Sequence, residues 1–113
     1  MKLEKSCVLD DVLEEDYLEL SSGAVVRNLR ELVLALGAMS EEDFALHVYG
    51  EQNDFAEWIL EGYWDEGLAG KILKIKKRGV LIRILEKILR EAEKKRFESG
   101  DRNAVLKKIG KMG

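Results

Sequence analysis

The sequence has no proline, one cysteine and one histidine, and aromatic residues make up only 7% of it. Each scarcity closes off a class of protein. A lone Cys7 permits neither an intrachain disulfide nor a multi-thiolate metal centre, and it points to a reducing, cytoplasmic setting. A lone His47 offers a transition metal at most one imidazole, so neither a metal nor another cofactor is expected. No uncharged stretch approaches the roughly 20 residues that span a bilayer, so no membrane partner is expected. The early apolar run Cys7-Val8-Leu9 stops at Asp10 and Asp11, too soon for a signal peptide. Without proline the chain also lacks its strongest helix breaker, which suits helices joined at glycine-bearing turns.

What the chain does contain is apolar and charged residues in globular proportion, 46% and 36% of its 113 positions. That is one domain's worth of chain, able to bury a core without staples. The expected organisation is a single domain over residues 1–113, with residues 1–16 and 100–113 as flexible ends. The net charge of −3 conceals an asymmetry. Residues 1–70 hold four basic side chains against seventeen acids, and residues 71–113 fifteen against five, balances of −13 and +10. Such halves either attract each other within one fold or present separate acidic and basic faces.

Residues 40–69 carry His47, both tryptophans and most of the other aromatics, so the fold should be organised around them. Ahead of them, the spacing of Leu9, Val12 and Leu13 allows a short helix or a segment ordered only on a partner. Tyr17–Leu20 and Ala24–Arg27 flank Ser21-Ser22-Gly23, the pattern of a short β-hairpin. Asn28 is placed to cap a helix with Leu29, Leu32, Val33 and Leu36 inward and Gly37 as its left-handed stop. Ser40-Glu41-Glu42-Asp43 forms a capping box with Asp in the acidic position. The helix it opens turns Phe44, His47 and Val48 inward and should end at Gly50. Asn53 or Asp54 caps the next, with Phe55, Trp58 and Ile59 inside and an end near Gly62. Asp65 caps a fourth, with Leu68, Ala69, Ile72 and Leu73 inside. Beyond Lys74–Arg78 and Gly79, the longest helix runs from Val80 to about Phe97, apolar along Leu81, Ile84, Leu85, Ile88, Leu89 and Ala92. The tail either adds one basic turn around Val105, Leu106 and Ile109 or frays. The fold class is therefore mainly α, a compact bundle of about five helices with a short N-terminal β-hairpin.

His47 is the natural candidate for chemistry, with Asn53 and Asp54 close by to orient it. The plainer reading is a partly buried histidine bonding a backbone group or capping the helix that starts at Asn53. Tyr63 and Trp64 sit at a helix end, where one of them should be exposed and, beside Tyr49, could anchor a partner. The basic residues Lys74, Lys76, Lys77, Arg78 and Arg83 have the composition of a phosphate-contacting patch. Against that patch stand the interleaved glutamates of the long helix and the acidic first half. No phosphate-cradling glycine motif, nucleophile elbow or paired zinc-ligand spacing occurs.

At the level of short motifs the chain resembles a family of small helical domains catalogued as domain of unknown function 5752. The resemblance lies in Gly23 followed by Leu29-Arg30-Glu31-Leu32, and in Met39-Ser40-Glu41-Glu42-Asp43-Phe44 with His47-Val48. It continues in Asn53-Asp54-Phe55-Ala56-Glu57-Trp58-Ile59 and in Leu68-Ala69. It covers about residues 17–90, and departs at Gly62-Tyr63-Trp64 and Gly67, where a more polar turn with less glycine belongs. The resemblance implies a small archaeal or bacterial helical domain and supplies no reaction. It also makes His47 and Asn53-Asp54 a unit, which either knits two helix ends together or forms a shared binding spot.

The function expected from these features is that of a non-enzymatic helical protein-interaction or regulatory module. Its binding surface would be His47, Asn53, Asp54, Tyr63 and Trp64, with self-association as a homodimer through the Val80–Phe97 helix. The alternative is a nucleic-acid-binding accessory protein that uses Lys74, Lys76, Lys77, Arg78 and Arg83. A third reading is a small-ligand sensor or enzyme around His47 and Asp54.

Overall fold

The computed structural model of the protein describes residues 7–97, so the basic turn or fraying expected at residues 105–109 lies outside the described residues. Four of the five helices among the described residues begin where a side chain accepts unpaired backbone N–H groups. Asn28 caps α1 (Leu29–Ala38) through Glu31 N–H, and Ser40 caps α2 (Glu41–His47) through Asp43 N–H. Asn53 caps α3 (Asp54–Tyr63) through both Phe55 and Ala56 N–H, and Asp65 caps α4 (Glu66–Leu73) through Leu68 N–H. The longest helix, α5 (Arg78–Arg96), starts without a side-chain cap. The fold is mainly α, with five helices among the described residues and a short hairpin before them.

That hairpin pairs β1 (Leu18–Glu19) with β2 (Val25–Val26), antiparallel, with Leu18 opposite Val26. The short helix that the spacing allows around Leu9 to Leu13 is absent. The N–H of Val12 donates to the Arg27 carbonyl at 2.8 Å, which pins residue 12 to the end of the hairpin instead of to a helical turn. Val12 is buried, Leu13 is 67% exposed, and a 3-10 turn follows at Glu14–Asp16.

Two helix ends differ from expectation, and a third falls near Gly62 as expected but takes another residue as its left-handed stop. Gly37 lies inside α1, which runs to Ala38. Its late carbonyls need no left-handed residue, because Met39 N–H takes Ala35 and the Arg78 guanidinium reaches Leu36 O at 2.8 Å. α2 stops at His47, and Gly50 instead turns a second hairpin, β3 (Val48–Tyr49) with β4 (Gln52–Asn53), at φ +56°. α3 passes Gly62 and ends at Tyr63, with Trp64 as the left-handed residue at φ 57°. Gly62 has a different task. A Cβ there would lie 2.5 Å from Val12 Cγ1, so the glycine admits the N-terminal segment against α3.

α1 packs along α5, and α3 along α4. Leu29, Leu32 and Leu36 of α1 are fully buried, as are Leu81 and Leu85 of α5, with Leu89 close behind. Phe44 stacks on Phe55 at 5.9 Å, and Trp58 meets Tyr63 edge-on at 5.7 Å. Leu73, expected inside, is 44% exposed. Of the α5 stripe, Leu81, Leu85 and Leu89 are buried in the core of the same chain, and Ile84, Ile88 and Ala92 are half-buried.

Candidate functional site

Three of the five residues expected to form a binding surface lie in the interior. His47, Asn53 and Tyr63 are all buried, and each joins segments far apart in sequence. His47 Nε2 accepts Ser21 N–H at 3.1 Å, which leaves the ring proton on Nδ1, where it donates to Asp54 Oδ2 at 3.1 Å. The imidazole also packs on the Phe55 ring at 5.3 Å. Both nitrogens are thus engaged, one by the first hairpin and one by the start of α3. Asn53 uses its oxygen on the α3 cap and its amide on Ile72 O at 2.9 Å, the carbonyl end of α4. Tyr63 accepts Leu29 N–H at 3.0 Å and donates to Asp10 O at 2.7 Å. Burial pushes its phenol well above the ordinary value of 10.0, because the anion would be stranded in the core. Among the described residues no buried side-chain nitrogen or oxygen lacks a partner.

α3 separates the expected surface into two parts. His47, Asn53 and Asp54 stand at its start and Tyr63 and Trp64 at its end, about 15 Å apart at 1.5 Å per residue. Tyr49, which is exposed, belongs to the first group, so it does not stand beside Trp64. Of the five, Trp64 is the exposed one, at 54%, and Asp54 is half-buried. The basic set is also divided. Arg78 binds Glu41 and the Leu36 carbonyl, and Lys76 donates to the Gly50 carbonyl. Lys74, Lys77 and Arg83 remain on the surface. Among the described residues no three His, Cys, Asp or Glu side chains are grouped to hold a metal ion. No helix there is long and apolar enough to cross a membrane.

No family model, no curated protein and no solved structure matches this chain.

Exposed apolar residues also gather on the outer side of α3 and α4. An apolar groove of about 300 Å³ runs between these helices, floored by Ala56, Ala69 and Gly70 and flanked by Leu60 and Leu73. Leu60 is 42% exposed, and a Cβ built on Gly70 would meet nothing within 4 Å, so the groove opens outward. On the other side of Glu57 lies a cleft of about 240 Å³ bounded by Glu15, Asp16, Asp54, Glu57 and Glu61. Sequence reasoning did not find the groove. The signal was partial: Leu60 is the large apolar residue of α3 outside the inward face Phe55, Trp58 and Ile59, whereas the same pattern puts Leu73 inside with Leu68, Ala69 and Ile72.

Proposed function

We propose that this protein is a non-enzymatic protein-interaction module whose recognition surface is the outer side of α3 and α4. The observation that carries the reading is the groove between those helices, where Leu60 and Leu73 stay partly exposed beside a floor of small residues. Exposed apolar surface gathered into a concave strip is what a protein partner covers. The buried polar residues support the same reading from the other side. His47, Asn53 and Tyr63 have their hydrogen-bonding groups engaged within the fold, which suits holding elements in place rather than turning over a substrate.

The test compares proteins captured by the wild-type chain with those captured by Leu60→Asp and Leu73→Asp, after nuclease treatment. Both leucines are partly solvated, so circular dichroism should report an unchanged fold. The expected result is a set of proteins retained by the wild type and lost from both variants. Retention by both variants would overturn the reading. Recovery of nucleic acid that is released by salt would favour the basic residues Lys74, Lys77 and Arg83 instead.

A further inference from the structure

We infer that the α3–α4 groove receives an amphipathic helix with basic flanks, a partner segment that seats leucine-like side chains in the groove and turns lysine or arginine toward α3. The inference rests on the interaction-module reading above and names the chemistry of its partner. The argument begins with helical geometry. At 100° per residue, Glu57, Glu61 and Asp54 fall within an arc of about 60° on α3, and Leu60 and Ala56 occupy the adjoining arc on the α4 side. One helix therefore carries the apolar wall of the groove and, a step around its circumference, the acidic bank. Glu57 borders both depressions.

Charge along the lining of the groove and the cleft has one sign. The residues lining the groove and the cleft include Glu15, Asp16, Asp54, Glu57, Glu61 and Glu66, and none of the lining residues is basic. Asp54 holds the His47 ring, while Glu57 and Glu61 extend into solvent. A ligand covering the groove thus meets an apolar strip on one side and negative potential on the other, which selects positive charge on the flank that faces α3.

The groove also favours a helix over an extended peptide. Both walls are helices whose backbone groups are already paired, so there is no sheet edge for a strand to extend. Ala56, Ala69 and Gly70 lack bulk, which allows a third helix axis to approach closely. From Glu66 to Leu73 the α4 wall is about 10 Å long, enough for two turns and for apolar anchors one turn apart.

The test uses two designed helical peptides with leucines at i, i+4 and i+7, one flanked by lysines and its twin by glutamates. Each is titrated against the full chain by fluorescence anisotropy. At about 50 mM salt the lysine peptide should bind at least about tenfold tighter than the glutamate twin, with the advantage shrinking toward unity near about 500 mM. Leu60→Asp should weaken the lysine peptide by about tenfold or more, through lost apolar burial. Glu57→Gln combined with Glu61→Gln should remove most of the preference between the twins and leave the fold intact, since both side chains are exposed.

Equal binding of the twins, or lysine-peptide binding indifferent to Leu60→Asp and Leu73→Asp, would overturn the inference. So would a groove filled by a second copy of this chain, seen as a dimer mass that falls to monomer in Leu60→Asp together with failure of the peptide to bind. The two readings fail differently. If natural proteins are lost from Leu60→Asp while the twins bind alike, the groove stands and its partner is not basic. If neither capture nor peptide binding depends on Leu60, both fall.

Discussion

Tyr63 ties three segments through a single hydroxyl. It is fully buried, donates to Asp10 O and accepts Leu29 N–H, joining the end of α3 to the N-terminal segment and to the first turn of α1. Tyr63→Phe keeps the ring and its edge contact with Trp58 but strands a buried N–H and a carbonyl. We expect a loss of about 1–3 kcal/mol, read from urea unfolding, with little change in near-ultraviolet signal from the tryptophans. A loss below a few tenths would mean that water replaces the hydroxyl. Trp64, next in the chain, shows the opposite treatment. Its backbone is left-handed, uncommon for a bulky residue, and its ring is half in solvent.

At the scale of elements, Asn53 is the joint between α3 and α4. Its oxygen closes the N-terminus of one and its amide the C-terminus of the other, so the two ends lie side by side and the helices pair along their length. Asn53→Ala removes the cap, worth about 1 kcal/mol, and one hydrogen bond to Ile72 O, which keeps the Ile75 N–H at 3.0 Å, for a total of about 1–3 kcal/mol. Asn53→Ser should retain a capping oxygen and lose the amide contact, and the difference between the two variants in thermal unfolding separates the contributions.

The start of α1 carries a pH-dependent contact. The Arg27 guanidinium and the Arg27 N–H hold the Glu31 carboxyl below its ordinary value of 4.5. A carboxylate whose value is lowered on folding stabilises the fold above its unfolded value, and that contribution is lost as pH falls through the folded one. Unfolding followed by circular dichroism should therefore show wild type losing stability below about pH 4.5, with a shallower acid limb in Glu31→Gln. Equal slopes would remove Glu31 from the acid response.

Across the whole molecule, the acidic and basic halves meet within one chain. Arg78 pairs with Glu41 at 3.0 Å and Arg96 with Asp10 at 2.9 Å, and Arg30 reaches Glu93 in the reverse sense. These pairs are largely at the surface, where each contributes roughly 0–1 kcal/mol and is screened by salt. Raising salt from about 50 mM to about 500 mM should thus lower unfolding stability by no more than about 2 kcal/mol. A larger drop would mean that the charge asymmetry holds the fold together. The remaining acids of α3 face outward, and that is where the asymmetry bears on a partner.

The sequence by itself determined the features made from local contacts. The caps at Asn28, Ser40, Asn53 and Asp65 are hydrogen bonds to N–H groups two or three residues ahead, within a backbone geometry that hardly varies. The buried stripes Leu29-Leu32-Leu36 and Leu81-Leu85-Leu89 were legible in their spacing for the same reason. Helix ends were less legible, because Gly37, Gly50 and Gly62 look alike as stop signals. What distinguished them was Arg78 reaching Leu36 O from 42 residues away, a second hairpin, and the approach of Val12. The fate of His47, Asn53 and Tyr63 was likewise a tertiary matter. Their remaining partners lie 19 to 53 residues distant, at Ser21, Ile72, Leu29 and Asp10, and only packing could say that these bonds close inside rather than face a ligand. The groove belongs to the same class. Leu60 and Leu73 are ordinary apolar residues until α3 and α4 lie against each other, with their other faces already buried.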